Sequence, residues 1–504
     1  MSEGISRSFQ GSSASGGTEN ALVRGLTLIA ALGGLLFGYD TAVISGAVGA
    51  IDHNFIDPLG LSETAAGSLS GWTISSALLG CVIGAAAAGP LSNSWGRRGG
   101  LVFAAVLFLI GSVGSAYPEF GLGPIGGMGP DALTPFNIYR IIGGVGVGIA
   151  SMLSPLYIAE ISPPSRRGRL VTYQQIAIVV GMTVVYFVNW AIAAQGDDSW
   201  VLNTGWRYML LSEAIPAVLF LGLLLFAPET PRWLVMKGRQ EEAARVLDRL
   251  ATDRDEAKIV LREINESLVA SSGRLLSFGP LVIVVGLMLS IFQQFIGINA
   301  VLYYAPLMFS NMGASTDSAL LQTIIVGIAN IIFTLIALVT VDRVGRKPLL
   351  IFGGIVMALS MITLGFLFHT GNVGTFAVVA VVAYIAGFAL SWGPVVWVLL
   401  SEIFPNAIKG KAMAIAVAMQ WIANLFVSWS FKILDGNSAL NALFNHGFAY
   451  WIYGVMSILA AAFVWRYVPE TKGHRLEDIQ SLWTPRDRSG ELPAAPVPST
   501  TVIP

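Results

Sequence analysis

Twelve mostly apolar runs, each about 20 residues or longer, leave this chain few ways to fold. They cover 25–50, 66–90, 99–117, 136–159, 170–194, 206–227, 277–304, 318–340, 348–369, 376–400, 411–431 and 448–467, separated by charged or Gly/Pro-rich breaks. A helix crossing a bilayer needs about 20 such residues. In lipid every backbone N–H and C=O must be satisfied within its own segment, which selects helices. Composition agrees: charged residues make up 12% and hydrophobic residues 54%, against about 25% charged in soluble domains. The expected fold class is an all-α membrane protein with the lipid bilayer as its solvent. A net charge of −1 lacks the basic field that a nucleic-acid partner requires. Cys81 is the single cysteine, so no intrachain disulfide forms. His53, His369, His446 and His474 show no metal-ligand spacing. No metal, no cofactor and no enzymatic nucleophile–base pair is expected.

Orientation follows from the tendency of Lys and Arg to stay on the cytoplasmic side. If both ends are cytoplasmic, then of 29 Lys and Arg only Arg140, Arg207 and Lys432 lie in or beside outward halves of helices. The outer loops 51–65 and 118–135 contain none. The predicted plan is a multi-pass protein of the cell inner membrane with both termini inside. Its parts are a disordered N-terminus (1–22), a six-helix bundle (23–228), a cytoplasmic linker (229–276), a second six-helix bundle (277–468) and a cytoplasmic tail (469–504). Within the linker, 239–268 carries apolar residues at helical spacing between charges, which predicts short amphipathic helices on the inner face. A solvated linker is the alternative.

Three motifs occur twice in the same order. GPLSNSWGRRGG (89–100) is echoed by VTVDRVGRKPLL (339–350), EISPPSRRGRL (160–170) by EIFPNAIKGKA (402–412), and PETPRWL (228–234) by PETKGHRL (469–476). The offsets are 249 (Arg97 to Arg346), 242 (Glu160 to Glu402) and 241 (Pro228 to Pro469). An even number of helices per unit keeps both copies in one orientation. Two parallel repeats with a site between them is a transporter plan.

The doubled WGRR and VGRK loops, the PETPR and PETKG helix ends and the run GYDTAVISG resemble the sugar-porter branch of the major facilitator superfamily, from about residue 25 to 480. The resemblance implies the major facilitator fold: twelve transmembrane helices in two parallel six-helix repeats plus a small cytoplasmic helical segment. It also implies alternating-access import of a neutral monosaccharide with a proton, D-xylose being the expected sugar. A hexose symporter, an uncoupled facilitator and a sugar sensor without transport are the alternatives.

Asp40 lies deep in the first apolar run, where a carboxylate costs about 2.5–3.5 kcal/mol on insertion scales. It should face a cavity or a cation, and Arg140 on helix four is the nearest candidate. Straight helices place Asp40 about 15 Å from the outer end and Arg140 about 6 Å. A permanent staple between helices one and four is one reading. Exchange of a proton as Arg140 swings away is the other, and the resemblance favours it, since a carboxylate at this position marks proton coupling in that family. Glu213 on helix six is a second intramembrane acid, assigned by the resemblance to assist Arg140 or Asp40, with helix packing as its alternative.

A second constellation is uncharged. Gln175, Gln293, Gln294, Asn299, Asn330 and Gln420 supply amides, which both donate and accept as sugar hydroxyls require. Trp397 and Trp421 supply aromatic faces. Amides acting as interhelical glue are the alternative. Gly297 and Pro306, and Gly393 and Pro394, offer points where helices seven and ten bend. The resemblance assigns Gln175, Gln293, Gln294, Asn299, Trp397 and Gln420 to sugar contact, with Phe37, Tyr303 and Trp421 lining the pocket. One repeat would then carry the proton and the other the sugar.

A third set lies on the inner face: Arg97, Arg98, Glu160, Arg167, Arg346, Lys347, Glu402 and Lys409. Glu160 precedes Arg167, and Glu402 precedes Lys409, by seven residues. These are expected to form exposed salt bridges that latch an inner gate, or else merely to set topology. Ser94 departs from the family pattern, which has a basic residue there as Arg343 does in the second loop. GGVGVG (143–148) has no preceding strand and reads as close helix packing, and Cys81 as a small packing residue. A monomer is expected.

Overall fold

The computed structural model describes residues 21–163, 166–251, 254–269, 275, 278–405 and 408–472. The predicted disordered start, apart from 21–22, and the tail beyond 472, His474 included, lie outside the described residues. All regular structure among the described residues is helical. The spanning helices are α1 (Ala21–Val43), α2 and α3 (two arms of Glu63–Ala116), α4 (Leu133–Ile161), α5 (Arg167–Ala193), α6 (Trp206–Leu211 and Ala214–Phe226), α7 (Pro280–Phe295 and Ile298–Asn311), α8 (Thr316–Val344), α9 (Arg346–His369), α10 (Thr375–Leu390 and Trp392–Ile403), α11 (Lys409–Asp435) and α12 (Phe448–Tyr467).

Eleven helical units are long and apolar enough to cross a membrane. One of them, Glu63–Ala116, has 54 residues and as a straight rod would run about 80 Å, far beyond a bilayer core of about 30 Å. Gly96 divides it, with φ +88° and ψ 176°, a conformation open to glycine and costly for other residues. Twelve spans result, at the positions of the twelve apolar runs.

Close helix approach is built from small residues. A Cβ on Gly144 of α4 would fall 1.9 Å from the Ala77 carbonyl of α2, and one on Gly148 would fall 2.3 Å from that of Cys81. Conversely, a Cβ on Gly80 or Gly84 would strike the carbonyls of Ile141 and Val145. The GGVGVG run is therefore a helix–helix contact, and Cys81 is fully buried in it.

Three short helices follow α6: Pro231–Met236, Gln240–Leu250 and Arg254–Val269. Trp233, Leu234, Val235 and Ala243 form their own small core with Val246, Leu261 and Ile264, so the linker is folded and not merely solvated chain. It marks one side of the molecule, called here the linker side; the other is the far side.

Candidate functional site

The expected gap between Asp40 and Arg140 is closed. Arg140 donates from Nη1 to Asp40 Oδ1 at 2.8 Å and from Nη2 to the Asp40 carbonyl at 3.4 Å. Both side chains are buried, 3% and 2% exposed. Glu213, 1% exposed, adjoins both of them, at the turn where α6 breaks between Leu211 and Ala214. Tyr39 and Ser212 join their hydroxyls at 2.8 Å and fasten α1 to the same turn. Asp40 Oδ2, Glu213 Oε1 and Arg140 Nε have no partner. Two carboxylates against one guanidinium leave a net negative charge in a dry site, which is costly. One proton on the orphan carboxyl oxygens neutralises it. The cluster thus brings two carboxylates and one guanidinium together with Asp40 Oδ2 and Glu213 Oε1 unbonded.

Beside it, between the first six helices and the last six, lies a cavity of about 90 Å³. Phe37, Gln175, Gln293, Gln294, Asn299, Asn330, Gly393, Trp397 and Gln420 line it, all of them expected from the sequence. Gln293 is the hub. Its Nε2 donates to the Trp392 carbonyl at 2.8 Å, and its Oε1 accepts from Gln294 at 3.3 Å and from Gln420. Asn299 donates to Gln294 Oε1 at 2.6 Å. Gln420 Oε1 and Trp421 Nε1 remain unpartnered.

Helix seven bends at Gly297 as expected, whereas Pro306 marks no break and the bend of helix ten falls just before Gly393 and Pro394. Helix α7 breaks at Gly297, φ +92°, with Pro306 inside its second piece and not at a break. Helix α10 breaks at Ser391. Pro394 then falls in the first turn of a new helix, where its missing N–H is no loss. Tyr303 and Trp421 do not line the cavity: the Tyr303 hydroxyl accepts from Asn424 at 3.3 Å, and Trp421 packs behind Phe37, ring centres 5.3 Å apart.

Sequence reading missed the apolar wall of Ile178, Val179 and Met182, although their spacing of three, four and seven from Gln175 puts them on one helical face. It also missed Thr334, one turn beyond Asn330. Gln174, buried with neither amide atom partnered, packs its amide flat on Gly34 of α1, where a Cβ would meet it at 2.7 Å.

The linker-side charges form two matching clusters. After Gly96, Glu229 accepts the backbone N–H groups of Arg97 and Arg98 at 2.9 and 3.1 Å. After Gly345, φ +105°, Glu470 accepts those of Arg346 and Lys347 at 3.1 and 3.0 Å. Each carboxylate thus caps a helix N-terminus. Arg97 pairs with Glu160 at 2.8 Å, and Thr230 donates to the same carboxylate at 2.6 Å. Arg346 pairs with Glu402 at 2.8 Å, joined by Thr471 at 2.6 Å and by Asp342 at 2.9 Å. Arg98 reaches the carbonyls of Leu224 and Leu225 at the end of α6.

One expectation is corrected here. Arg97 and Glu160 are not an exposed pair, at 6% and 7% exposure, because the linker helices cover them. Glu160 and Glu402 pair with Arg97 and Arg346, two cations of the expected set; among the described residues Arg167 and Lys409 make no ion pair. The hinge arginines approach sideways from a neighbouring helix end, within reach of a carboxylate that faces away from its own chain. Both pairs stay within their own six helices. Ser94, in place of a basic residue, bonds back to the Pro90 carbonyl at 3.0 Å.

The two glutamate caps differ in charge balance. Glu229 lies deeper, and burial pushes its carboxyl above the ordinary range against the N–H groups of Thr230, Arg98 and Arg97. For Glu470 burial also raises, but the N–H groups of Lys472, Arg346, Lys347 and Thr471 outweigh it and hold the carboxyl below that range. A depressed value contributes stability that is present above the unfolded pKa and lost as pH falls through the folded one. Glu470→Gln should therefore lower the unfolding temperature at pH 7, with the deficit closing as pH falls below about 4. Thermal unfolding in detergent across that range checks it, and a deficit that does not change with pH contradicts it.

On the far side the halves are sealed together. Lys432 pairs with Asp52 at 2.8 Å, and Ser70 donates to Asp52 at 2.5 Å. Trp429 donates to the Ser68 carbonyl at 2.9 Å, Tyr186 to that of Leu302 at 3.0 Å, and Trp190 to Asp317 at 2.9 Å. Gly67 and Gly71 let α2 lie directly on α11, where a Cβ on Gly71 would fall 2.5 Å from the Trp429 carbonyl. Lys432→Met should release this seal by about 1 kcal/mol, roughly a five-fold shift toward an open far side. The reactivity of Ile298→Cys, in the cavity wall, toward an impermeant thiol reagent from that side reads the shift. An unchanged rate would mean that the pair carries no gating energy.

The comparisons with known proteins agree with this geometry. Residues 26–483 match the family model described as Sugar (and other) transporter. The D-xylose-proton symporter of Escherichia coli K12 is 55% identical over 481 residues, covering 93% of this chain and 97% of that protein. The glucose facilitated diffusion protein of Zymomonas mobilis is 47% identical over 470 residues, covering 92% and 98%. The inward open conformation of the xylose transporter from E. coli superposes with a TM-score of 0.83 at 52% identity, covering 92% of this chain and all of that one.

Proposed function

Because the chain belongs to the sugar (and other) transporter family, in the sugar-porter branch of the major facilitator superfamily, we propose that it is a proton-coupled symporter importing a neutral monosaccharide, D-xylose, by alternating access. One observation carries this reading above the others. A buried Asp40–Arg140 pair with Glu213 alongside, able to hold a single proton, sits in the first six helices, next to a cavity whose polar lining is neutral amide. One proton moved down about 100 mV supplies about 2.3 kcal/mol, enough to concentrate a neutral solute tens-fold.

In this reading 23–228 and 277–468 rock against each other about the cavity. Asp40, Arg140 and Glu213 couple the proton. Gln175, Gln293, Gln294, Asn299, Asn330, Gln420 and Trp397 hold the sugar, with Phe37 and Gly393 at its edges and Tyr303 and Trp421 supporting from behind. The two linker-side clusters keep each half rigid as the cleft opens and closes, and Arg167, Lys347 and Lys409 are the cations free to meet the opposite half. The linker side is cytoplasmic, as its wealth of Lys and Arg requires. The membrane is the inner one, and both termini face the cytoplasm.

The relative of Zymomonas mobilis motivates a second reading, uncoupled hexose diffusion. Asp40 argues against it, since a passive carrier has no use for a buried titratable group at that cost. Uptake into proteoliposomes, with a panel of pentoses and hexoses and with or without an inwardly directed proton gradient, separates the two. Xylose accumulation that collapses with the gradient is expected. Equilibration without accumulation would replace symport by diffusion.

A further inference from the structure

Between α3 and α4 on the far side runs the segment 117–132, YPEFGLGPIGGMGPDA, with no Lys, Arg, Ser, Thr or Asn. Three of its side chains stand out: Phe120 is 75% exposed, Leu122 65% and Ile125 61%. Such a clustered apolar surface marks an interaction site. The backbone of the segment is also tied to the helices behind it. Glu119, 1% exposed, accepts from Arg207 at 2.7 and 2.9 Å and from the Gly126 N–H at 3.2 Å. The Glu119 carbonyl accepts from Leu122 and Gly123 at 2.8 and 3.0 Å. Arg207 is itself fixed, donating to the Ala116 carbonyl at 2.9 Å and lying 4.5 Å over the Trp206 ring. Burial opposes ionisation of Glu119, but Arg207 and the Glu119 and Gly126 N–H groups hold its carboxyl below the ordinary range.

In sequence the exposed residues lie between exposed apolar side chains of two spanning helices. Ile110 and Val113, in the last two turns of α3, are 42% and 41% exposed, and Ile138, near the start of α4, is 51% exposed. Phe120, Leu122 and Ile125 come four to nine residues past the end of α3 at Ala116, and beyond the ends of spanning helices aromatic residues are enriched at the headgroup level.

We propose that this segment is a rigid interfacial anchor, which dips Phe120, Leu122 and Ile125 into the lipid leaflet on the far side while the Glu119–Arg207 pair rivets it to α6. Lipid is the occupant because the patch directly joins two spanning helices whose neighbouring turns expose the apolar side chains of Ile110, Val113 and Ile138. Zwitterionic and anionic phospholipids alike need no charged partner there, and Asp131 is the one exposed charge of the segment.

Phe120→Cys, Leu122→Cys and Ile125→Cys, each bearing a nitroxide spin label, test it in proteoliposomes of phosphatidylethanolamine and phosphatidylglycerol. Cys81 is fully buried and need not be replaced. Asn372→Cys, in the exposed far-side turn between α9 and α10, is the aqueous reference. The ratio of oxygen to water-soluble nickel-chelate collisions should exceed that of the reference by about five-fold or more at all three positions, as interfacial burial requires. Ratios equal to the reference overturn the anchor. Spin–spin broadening that vanishes on dilution with unlabelled protein overturns it in favour of contact between copies of this chain. If labelling at one position disturbs the turn, the other two still decide.

Discussion

Asp40→Asn should abolish accumulation of sugar against its gradient, bringing the internal-to-external ratio from tens-fold to about one, while sugar exchange across the same vesicles stays within about two-fold. The asymmetry follows from what the substitution leaves in place. The Asn carbonyl still accepts from Arg140 Nη1, which Asp40 Oδ1 now receives at 2.8 Å, so helices α1 and α4 stay tied. What disappears is the carboxyl to which the proposed mechanism gives the proton, with its unpartnered oxygen Oδ2. The variant is fixed in the chemical condition of a protonated Asp40. Loaded and empty carriers then reorient without regard to the gradient, and the solute only equilibrates. Counterflow and proton-driven uptake in the same preparation read the two halves of the result. If exchange fails together with accumulation, the carboxylate is a structural staple and the coupling role falls.

The second large effect is expected at the sugar site. Gln294→Ala and Trp397→Ala should each weaken sugar binding by about 10- to 100-fold, with little loss of thermal stability. Gln294 both donates to Gln293 and accepts from Asn299, so its removal takes away an amide proposed to bind the sugar and strands two neighbours. A net hydrogen bond is worth about 0.5–1.5 kcal/mol, and a stranded buried partner costs about 1–3 kcal/mol more. Trp397 contributes an aromatic side chain to the cavity lining. Titration calorimetry with xylose measures both variants. Affinity unchanged in either would remove that residue from the site.

A great deal of this molecule was readable from the chain. Lipid forbids unsatisfied backbone, so the twelve apolar runs could only be helices, and the breaks between them located even the hinge inside Glu63–Ala116. Polar residues misplaced in lipid are conspicuous for the same reason. Asp40, Arg140, Glu213 and the amides were all visible as anomalies against an apolar background. The resemblance to the sugar porters then sorted them into roles.

What stayed hidden depends on which helix lies beside which. The sequence offered Glu160 several cations of the inner face, and only packing shows that its partner is Arg97, at a hinge 63 positions away. The far-side seal of Asp52, Ser70 and Lys432 has no local signature at all, since its parts come from opposite ends of the sequence. Tyr303 and Trp421 carry the right chemistry for a pocket, yet neighbouring side chains claim one face or the hydroxyl of each. Periodicity along a helix, solvation by lipid and the cost of a buried charge are local matters, and the sequence alone determined them. Pairing partners, the closed far side and the room left between the halves arise from contacts between helices remote in sequence, and only the packed structure decided those.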